Sequence, residues 1–236
     1  MGRAFEYRKA AKMKRWDKMS KIFPKLGKAI TIAAKAGGPD PDMNPALRTA
    51  IQNAKSENMP KNNIDSAIKR AAGKDAANFT EMNFEGKGPH GTLIFVETAT
   101  DNTTRTTANI KSYFNKLGLG LVPPGSLEYM FSHKAVFEVE KTEEMDIEEL
   151  EMELIDAGLE EIEEDEGILY LYAEYTDFGP MSQALETMKI EPKKSQLKRI
   201  PTTPIHVSDE QMVEVDKLLD KIDEDEDVQE VYTNIE

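Results

Sequence analysis

Apolar positions in the first third of the chain recur with a helical period. Leu47, Ala50, Ile51 and Ala54 fall at i, i+3, i+4 and i+7, and Ile64, Ala67, Ile68 and Ala71 repeat that spacing. Each set forms the buried stripe of an amphipathic helix. Asn44 stands as a cap with Pro45 at the first helical position, where the missing N–H costs nothing. Upstream, "SKIFPKLGKAITIAAKA" runs from a cap signal at Ser20 to a stop at Gly37-Gly38. Pro24 falls inside it and is taken to mark where the regular helix begins. Two short helices packed on a longer basic one predict a small three-helix domain.

Beyond residue 80 the period changes. "GTLIFVETAT" reads as a strand, "TTRTTANIKSYFNKLG" as a helix, and "SLEYMFSH" and "AVFEVE" as two further strands. "DIEELEMELIDAG" is a helix, "GILYLYAEY" a strand, "DFGPMSQALETMKI" a helix, and "SQLKRIPTTPIHV" is extended. Asp209 to Asp223 is a helix and "DVQEVYTNI" a final strand. Helices alternating with strands predict α+β layers of the ferredoxin-like, split βαβ kind. Residues 92–131 and 200–236 each supply an incomplete βαβ fragment, whereas the stretch between them closes on itself. The expected organisation is a helical domain over 1–75, an α+β domain over 80–131 plus 200–236, and a second α+β domain over 132–199 inserted in the first.

Charge changes this picture more than any other property. The formal net charge is −14, yet residues 1–75 hold 17 Lys/Arg against 7 Asp/Glu, and residues 76–236 hold 13 against 37. Within residues 1–36, eleven Lys or Arg face only Glu6 and Asp17. Arg8, Lys12 and Arg15 lie on one helical face, as do Lys21, Lys25, Lys28 and Lys35. Such rows can follow phosphates, and without neighbouring acids they are expected to lack internal partners. The alternative is a solvated helix face. Phe5, Tyr7, Trp16 and Phe23 interleave with the charges, either to stack on unpaired bases or, the preferred reading, to form the domain's core.

Other motifs point to structure. "GKGPHG" (Gly86–Gly91) matches G-x-G-x-x-G but precedes a strand rather than opening a helix, so a turn is expected. His90, His133 and His206 are scattered without metal-ligand spacing. The acidic runs Asp223–Asp227 and Glu160–Glu166 lack the spaced oxygens and glycine of a calcium loop, and are expected to be solvated faces that repel phosphate. In "DNTTRT" (Asp101–Thr106), Asp101, Asn102 or Thr103 caps a helix, and Arg105 either decorates its start or faces a ligand. No hydrolase, Walker or zinc-protease signature occurs, and no acid–base or nucleophile set is assembled, so no catalytic residue is assigned. Cysteine is absent, which excludes disulfides and thiolate chemistry and agrees with a reducing, cytoplasmic location. No apolar run is long enough to span a bilayer, and no apolar stretch of a secretory signal follows the basic start. A mitochondrial transit peptide would also be basic and acid-poor, but Ser20 is the lone serine in residues 1–36, and the pattern runs into helices that look structural.

"RKAA" at 8–11, "KIF" and "KL" within 21–26, and "AAKAGGPDPDMNPALRTAI" at 33–51 resemble the YebC/PmpR family. "NMPKNNIDSAIKR" at 58–70, "GPHG" at 88–91 and "DNTTRT" at 101–106 extend the resemblance over essentially the whole chain. It implies a helical N-terminal domain followed by two α+β domains, one inserted in the other. It also implies a cytoplasmic DNA-binding transcriptional regulator with no catalytic activity and no cofactor. Mitochondrial relatives are translational activators, and bacterial members have been linked to ribosomes stalled at proline runs, so ribosomal RNA and the ribosome are the alternative partners. The family's usual G-H-S-K-W opening is replaced here by "GRAFEY", so contacts assigned to that opening do not carry over. The expectation is a non-enzymatic nucleic-acid binder, with no membrane and no small-molecule substrate. It would grip phosphates with Arg3, Arg8, Lys9, Lys12, Lys14, Arg15, Lys18, Lys21, Lys25 and Lys28, supported by Lys61, Lys69 and Arg70.

Overall fold

A computed structural model describes residues 19–73, 78–143 and 145–236, with side chains in the first helix from Ile22 onward. Helix α1 spans Met19–Gly37, α2 Pro45–Ser56 and α3 Lys61–Ala71. Helix α1 runs through Pro24 without a break, so the proline does not mark its start. Asn44 clasps the turn between α1 and α2. Its carboxamide donates to Ala33 O and Gly38 O at 2.8 and 2.9 Å and accepts from Leu47 N at 3.1 Å. A Cβ on Gly37 would come within 2.6 Å of that side chain, so glycine is required there. Ile30, Ala34, Leu47, Ala54, Met59, Ile64 and Ala67 form the core of this region, with Phe23 packed at its margin. Three alanines let the helices approach closely but bury little area, so the region depends on its attachments as well as its core.

The first sheet contains β1 (Thr80–Lys87), β2 (Leu93–Thr100), β3 (Gly120–Leu121) and β8 (Val228–Thr233), in the order β3-β1-β2-β8. Helices α4 (Thr103–Asn115) and α7 (Asp209–Asp223) cover it, and Phe84, Ile94, Val96, Phe114, Leu218 and Ile222 lie in the core between. The second sheet contains β4 (Phe131–Glu140), β5 (Leu159–Asp165), β6 (Ile168–Glu174) and β7 (Lys194–Pro201), in the order β5-β6-β4-β7. Helices α5 (Ile147–Ile155) and α6 (Phe178–Thr187) pack on it over Phe137, Val139, Leu169, Leu171, Leu154 and Met181. Every pairing of these eight strands is antiparallel. The second sheet thus has the βαββαβ order of a split βαβ fold, and its strands lie in sequence between β3 and β8 of the first.

Several elements differ from expectation. "SLEYMFSH" and "AVFEVE" are not two strands. After a short 3-10 turn, Glu128–Met130, one strand runs from Phe131 to Glu140. Strands β1, β3 and β5 were not foreseen. In β1, Met82 and Phe84 face the core, but buried Glu85 and Gly86 break the apolar alternation that would mark a strand. Glu85 accepts the backbone N–H groups of Gly125 and Leu127, and a Cβ on Gly86 would strike the Phe114 ring. "GKGPHG" is the expected turn, here a hairpin between β1 and β2, with His90 and Gly91 at positive φ. The sheets meet at Phe95, Leu127 and Phe131, where the Arg199 guanidinium lies over the Phe95 ring at 4.0 Å. There Phe131 pairs with Pro201, and Thr202 N donates to Met130 O at 2.9 Å.

Candidate nucleic-acid interface and interdomain cleft

Helix α1 lies against the turn between α7 and β8, with a cleft of about 920 Å³ beside the contact. Pro24, Gly27, Lys28 and Thr31 line one wall, and Arg70 and Gly73 contribute from the end of α3. Asp101, Arg105, Asn109 and Tyr113 line the opposite wall with Asp225, Glu226 and Asp227.

Asp227 is the hub. It is buried, and one carboxylate oxygen accepts from Arg105 Nη2 at 2.7 Å, Thr106 Oγ1 at 2.8 Å and Thr100 Oγ1 at 3.1 Å. The other accepts from Lys28 Nζ at 3.2 Å. Burial opposes its charge, but hydrogen bonds from Arg105, Thr106 and Lys28 outweigh burial and hold its pKa below the ordinary carboxylate range. Asp225, also buried, accepts from Asn109 Nδ2 at 3.0 Å and Tyr113 Oη at 2.9 Å. Burial, with that bond to an anion, pushes the Tyr113 phenol up to about 12. The acidic run 223–227 is therefore not a solvated face. Its alternate residues turn inward, and their partners come from residues 25–28 and 100–113. Asn102 provides the expected cap by accepting from Arg105 N at 3.0 Å, while the Arg105 side chain bridges Asp101 and Asp227.

The predicted phosphate contacts divide into three groups. Arg3, Arg8, Lys9, Lys12, Lys14, Arg15 and Lys18, the side chain of Lys21, and Phe5, Tyr7 and Trp16 lie outside the described residues. Lys25 and Lys28 correct the expectation that these cations lack internal partners. Lys25 Nζ pairs with Asp223 at 2.9 Å, and Lys28 Nζ donates to Ala99 O and Glu226 O, both at 2.8 Å, as well as to Asp227. Their partners lie about seventy to two hundred residues away in sequence, so local charge counting could not find them. Lys61, Lys69 and Arg70 are exposed and make no ion pair among the described residues. Arg70 lies over Gly27, where an added Cβ would meet its guanidinium at 3.4 Å, and reaches the cleft rim.

Helix α2 makes a second contact, with β7. Asn53 Oδ1 accepts from Ser195 N at 2.9 Å and its Nδ2 donates to Ser195 O at 2.7 Å, so one side chain pairs with the edge strand as another strand would. Gln52 donates to Pro192 O, and Lys194 pairs with Glu57 at 3.1 Å. Burial opposes the Lys194 charge, yet Glu57 more than offsets it and raises the pKa.

The histidines are engaged separately. His133 stacks on Tyr175 with ring centroids 4.7 Å apart, and burial followed by the Arg199 charge lowers its pKa. His90 and His206 contact Glu214 and Glu236. Among the described residues no group of three or more His, Asp or Glu is placed to hold a metal ion.

Residues 3–74 match the TACO1/YebC protein N-terminal domain, and residues 79–235 match the TACO1/YebC second and third domain. This chain belongs to the TACO1/YebC family. A relative from Wolinella succinogenes, described as a probable transcriptional regulatory protein, is 64% identical over 236 residues, with all of each chain covered. Another so described, from Campylobacter fetus, is 59% identical over 236 residues with the same coverage. The crystal structure of a conserved hypothetical protein from Aquifex aeolicus superposes with a TM-score of 0.74 at 35% identity, covering 92% of this chain and 90% of that one. The TACO1/YebC fold, a helical region followed by two antiparallel sheets with helices, is thus common to this chain and that structure.

Proposed function

We propose that this chain is a cytoplasmic, non-enzymatic regulator of transcription that binds nucleic acid through its helical region. The observation that carries the reading is the segregation of charge. Residues 1–75 hold 17 Lys/Arg against 7 acids, while the rest of the chain is strongly acidic and repels phosphate. Lys61, Lys69 and Arg70 form the described part of the grip, exposed and without carboxylate partners among the described residues. Arg3, Arg8, Lys9, Lys12, Lys14, Arg15, Lys18 and Lys21 complete it from the sequence. Lys25 and Lys28 are committed to the body of the protein and do not belong to the resting contact set. The regulatory names of the relatives agree with this role.

The test is a binding titration of the full chain with duplex DNA and with RNA. If six to ten phosphates are neutralised, affinity falls about 10³–10⁵-fold between 50 and 200 mM salt. Reversing Arg8, Lys12 and Arg15 to Glu should abolish binding while circular dichroism stays unchanged, and undiminished binding rejects the assignment. Crosslinking in cells followed by sequencing separates the partners. Recovered promoter DNA supports the transcriptional reading, and recovered ribosomal RNA replaces it with a translational one.

A further inference from the structure

The Asp223–Asp227 segment offers α1 what a phosphate backbone would offer. One carboxylate meets Lys25, and Glu226 O and an Asp227 carboxylate oxygen meet the Lys28 ammonium, which Ala99 O of β2 also contacts. Lys25 and Lys28 are one helical turn apart and share a face. Their side chains are 17% and 13% exposed, sheltered but not sealed, and Lys28 borders the open cleft. Arg70 stands at the cleft rim with no carboxylate partner among the described residues, a landing point for an incoming anion. In a sheltered pair such as Lys25–Asp223 the attraction is largely offset by the cost of desolvating both charges, so exchanging that carboxylate for phosphate is close to balanced. The α2–β7 contact holds one ion pair, Lys194–Glu57, but also the two neutral hydrogen bonds between Asn53 and the Ser195 backbone, which an anion does not exchange, so it can serve as the pivot.

We propose that Lys25 and Lys28 are a second, masked phosphate site, and that the Asp223–Asp227 segment is an internal competitor which nucleic acid displaces, swinging α1 away from the first sheet. This rests on nucleic-acid binding by the helical region.

Asp223→Asn frees Lys25 without touching the Asp227 hub. The expected result is binding about threefold tighter near physiological salt, with the slope of log affinity against log salt steeper by about one phosphate. Glu210→Gln, at the other end of α7, removes the same charge away from the contact and should leave the slope unchanged. Opening is read separately. The chain has no cysteine, so Met43→Cys and Leu117→Cys, at exposed positions in the helical region and the first α+β unit, can carry a fluorophore pair. Transfer between them should fall when a duplex DNA or an RNA binds. Without nucleic acid it should fall in 0.5 M sodium chloride, and at lower salt in the labelled Asp223→Asn chain than in the wild type. If nucleic acid binds but Asp223→Asn leaves both slope and transfer unchanged, the competitor is rejected. If the wild type binds neither DNA nor RNA, the functional reading fails, and the salt response of the labelled proteins still decides whether the latch exists.

Discussion

Helix α1 is fastened to the first sheet by its lysines, and α2 is fastened to the second chiefly by neutral hydrogen bonds. At the first joint Lys25 and Lys28 meet Asp223 and Asp227. At the second, Asn53 meets the backbone of Ser195, with the ion pair Lys194–Glu57 beside it and the longer, exposed pair Arg48–Glu186 at 3.9 Å. The two joints hold the same small region yet respond to different conditions. Salt and acid weaken the first through screening and protonation, whereas at the second they reach the ion pairs but leave the Asn53–Ser195 pairing untouched. A region with so small a core is therefore held steadily on one side and conditionally on the other.

The strongest way to break this contrast is Asp227→Ala. It removes the acceptor for Arg105, Thr106 and Lys28 together and leaves a buried gap lined with donors. A loss of about 3 kcal/mol is expected from urea unfolding. The intact hub should also be acid-labile. Because the native pKa of Asp227 is depressed, its contribution is fully present above the unfolded carboxylate value. It is lost as pH falls from there through the lower native value, so acid titration should loosen the ionic joint in that window. Next in size is Asn53→Ala, which leaves the Ser195 N–H and C=O without their partner. A loss of about 2 kcal/mol is expected, equal at 50 and 500 mM salt. The smallest effect is Lys25→Gln, about 0.5 kcal/mol at low salt and none at 500 mM. Equal salt responses of Asn53→Ala and Lys25→Gln would erase the distinction between the joints.

The sequence was most legible where one element's own pattern decides its structure. Asn44-Pro45 and the stripes through Leu47 and Ile64 located α2 and α3, because capping and helical periodicity are local. Helix α7 was bounded as observed. Legibility failed where a distant partner reverses the meaning of a residue. Glu85 occupies a core position of β1 only because the turn at Gly125–Leu127 offers it two N–H groups. Lys134 looked like a break between two strands, yet it sits within β4 and pairs across the sheet with Glu160 and Glu174. The acidic character of β5 hid a strand, since as a sheet edge it needs few apolar residues and its charges discourage edge-to-edge pairing. Lys61, Lys69 and Arg70 are exposed on α3, off its apolar stripe. The charge-to-charge contacts of Lys25, Lys28 and Arg105 were invisible, because Asp223 and Asp227 come from the far end of the chain.

Strand β4 leaves the first sheet at Phe131 and β7 returns at Pro201, and these two residues are paired neighbours, with the next residue out on each side joined by a hydrogen bond. The 71 residues from Phe131 to Pro201 thus depart and come back through a single doorway. That cassette can be enlarged, traded or discarded without rethreading the first sheet, and a protein engineer can do so with one short splice.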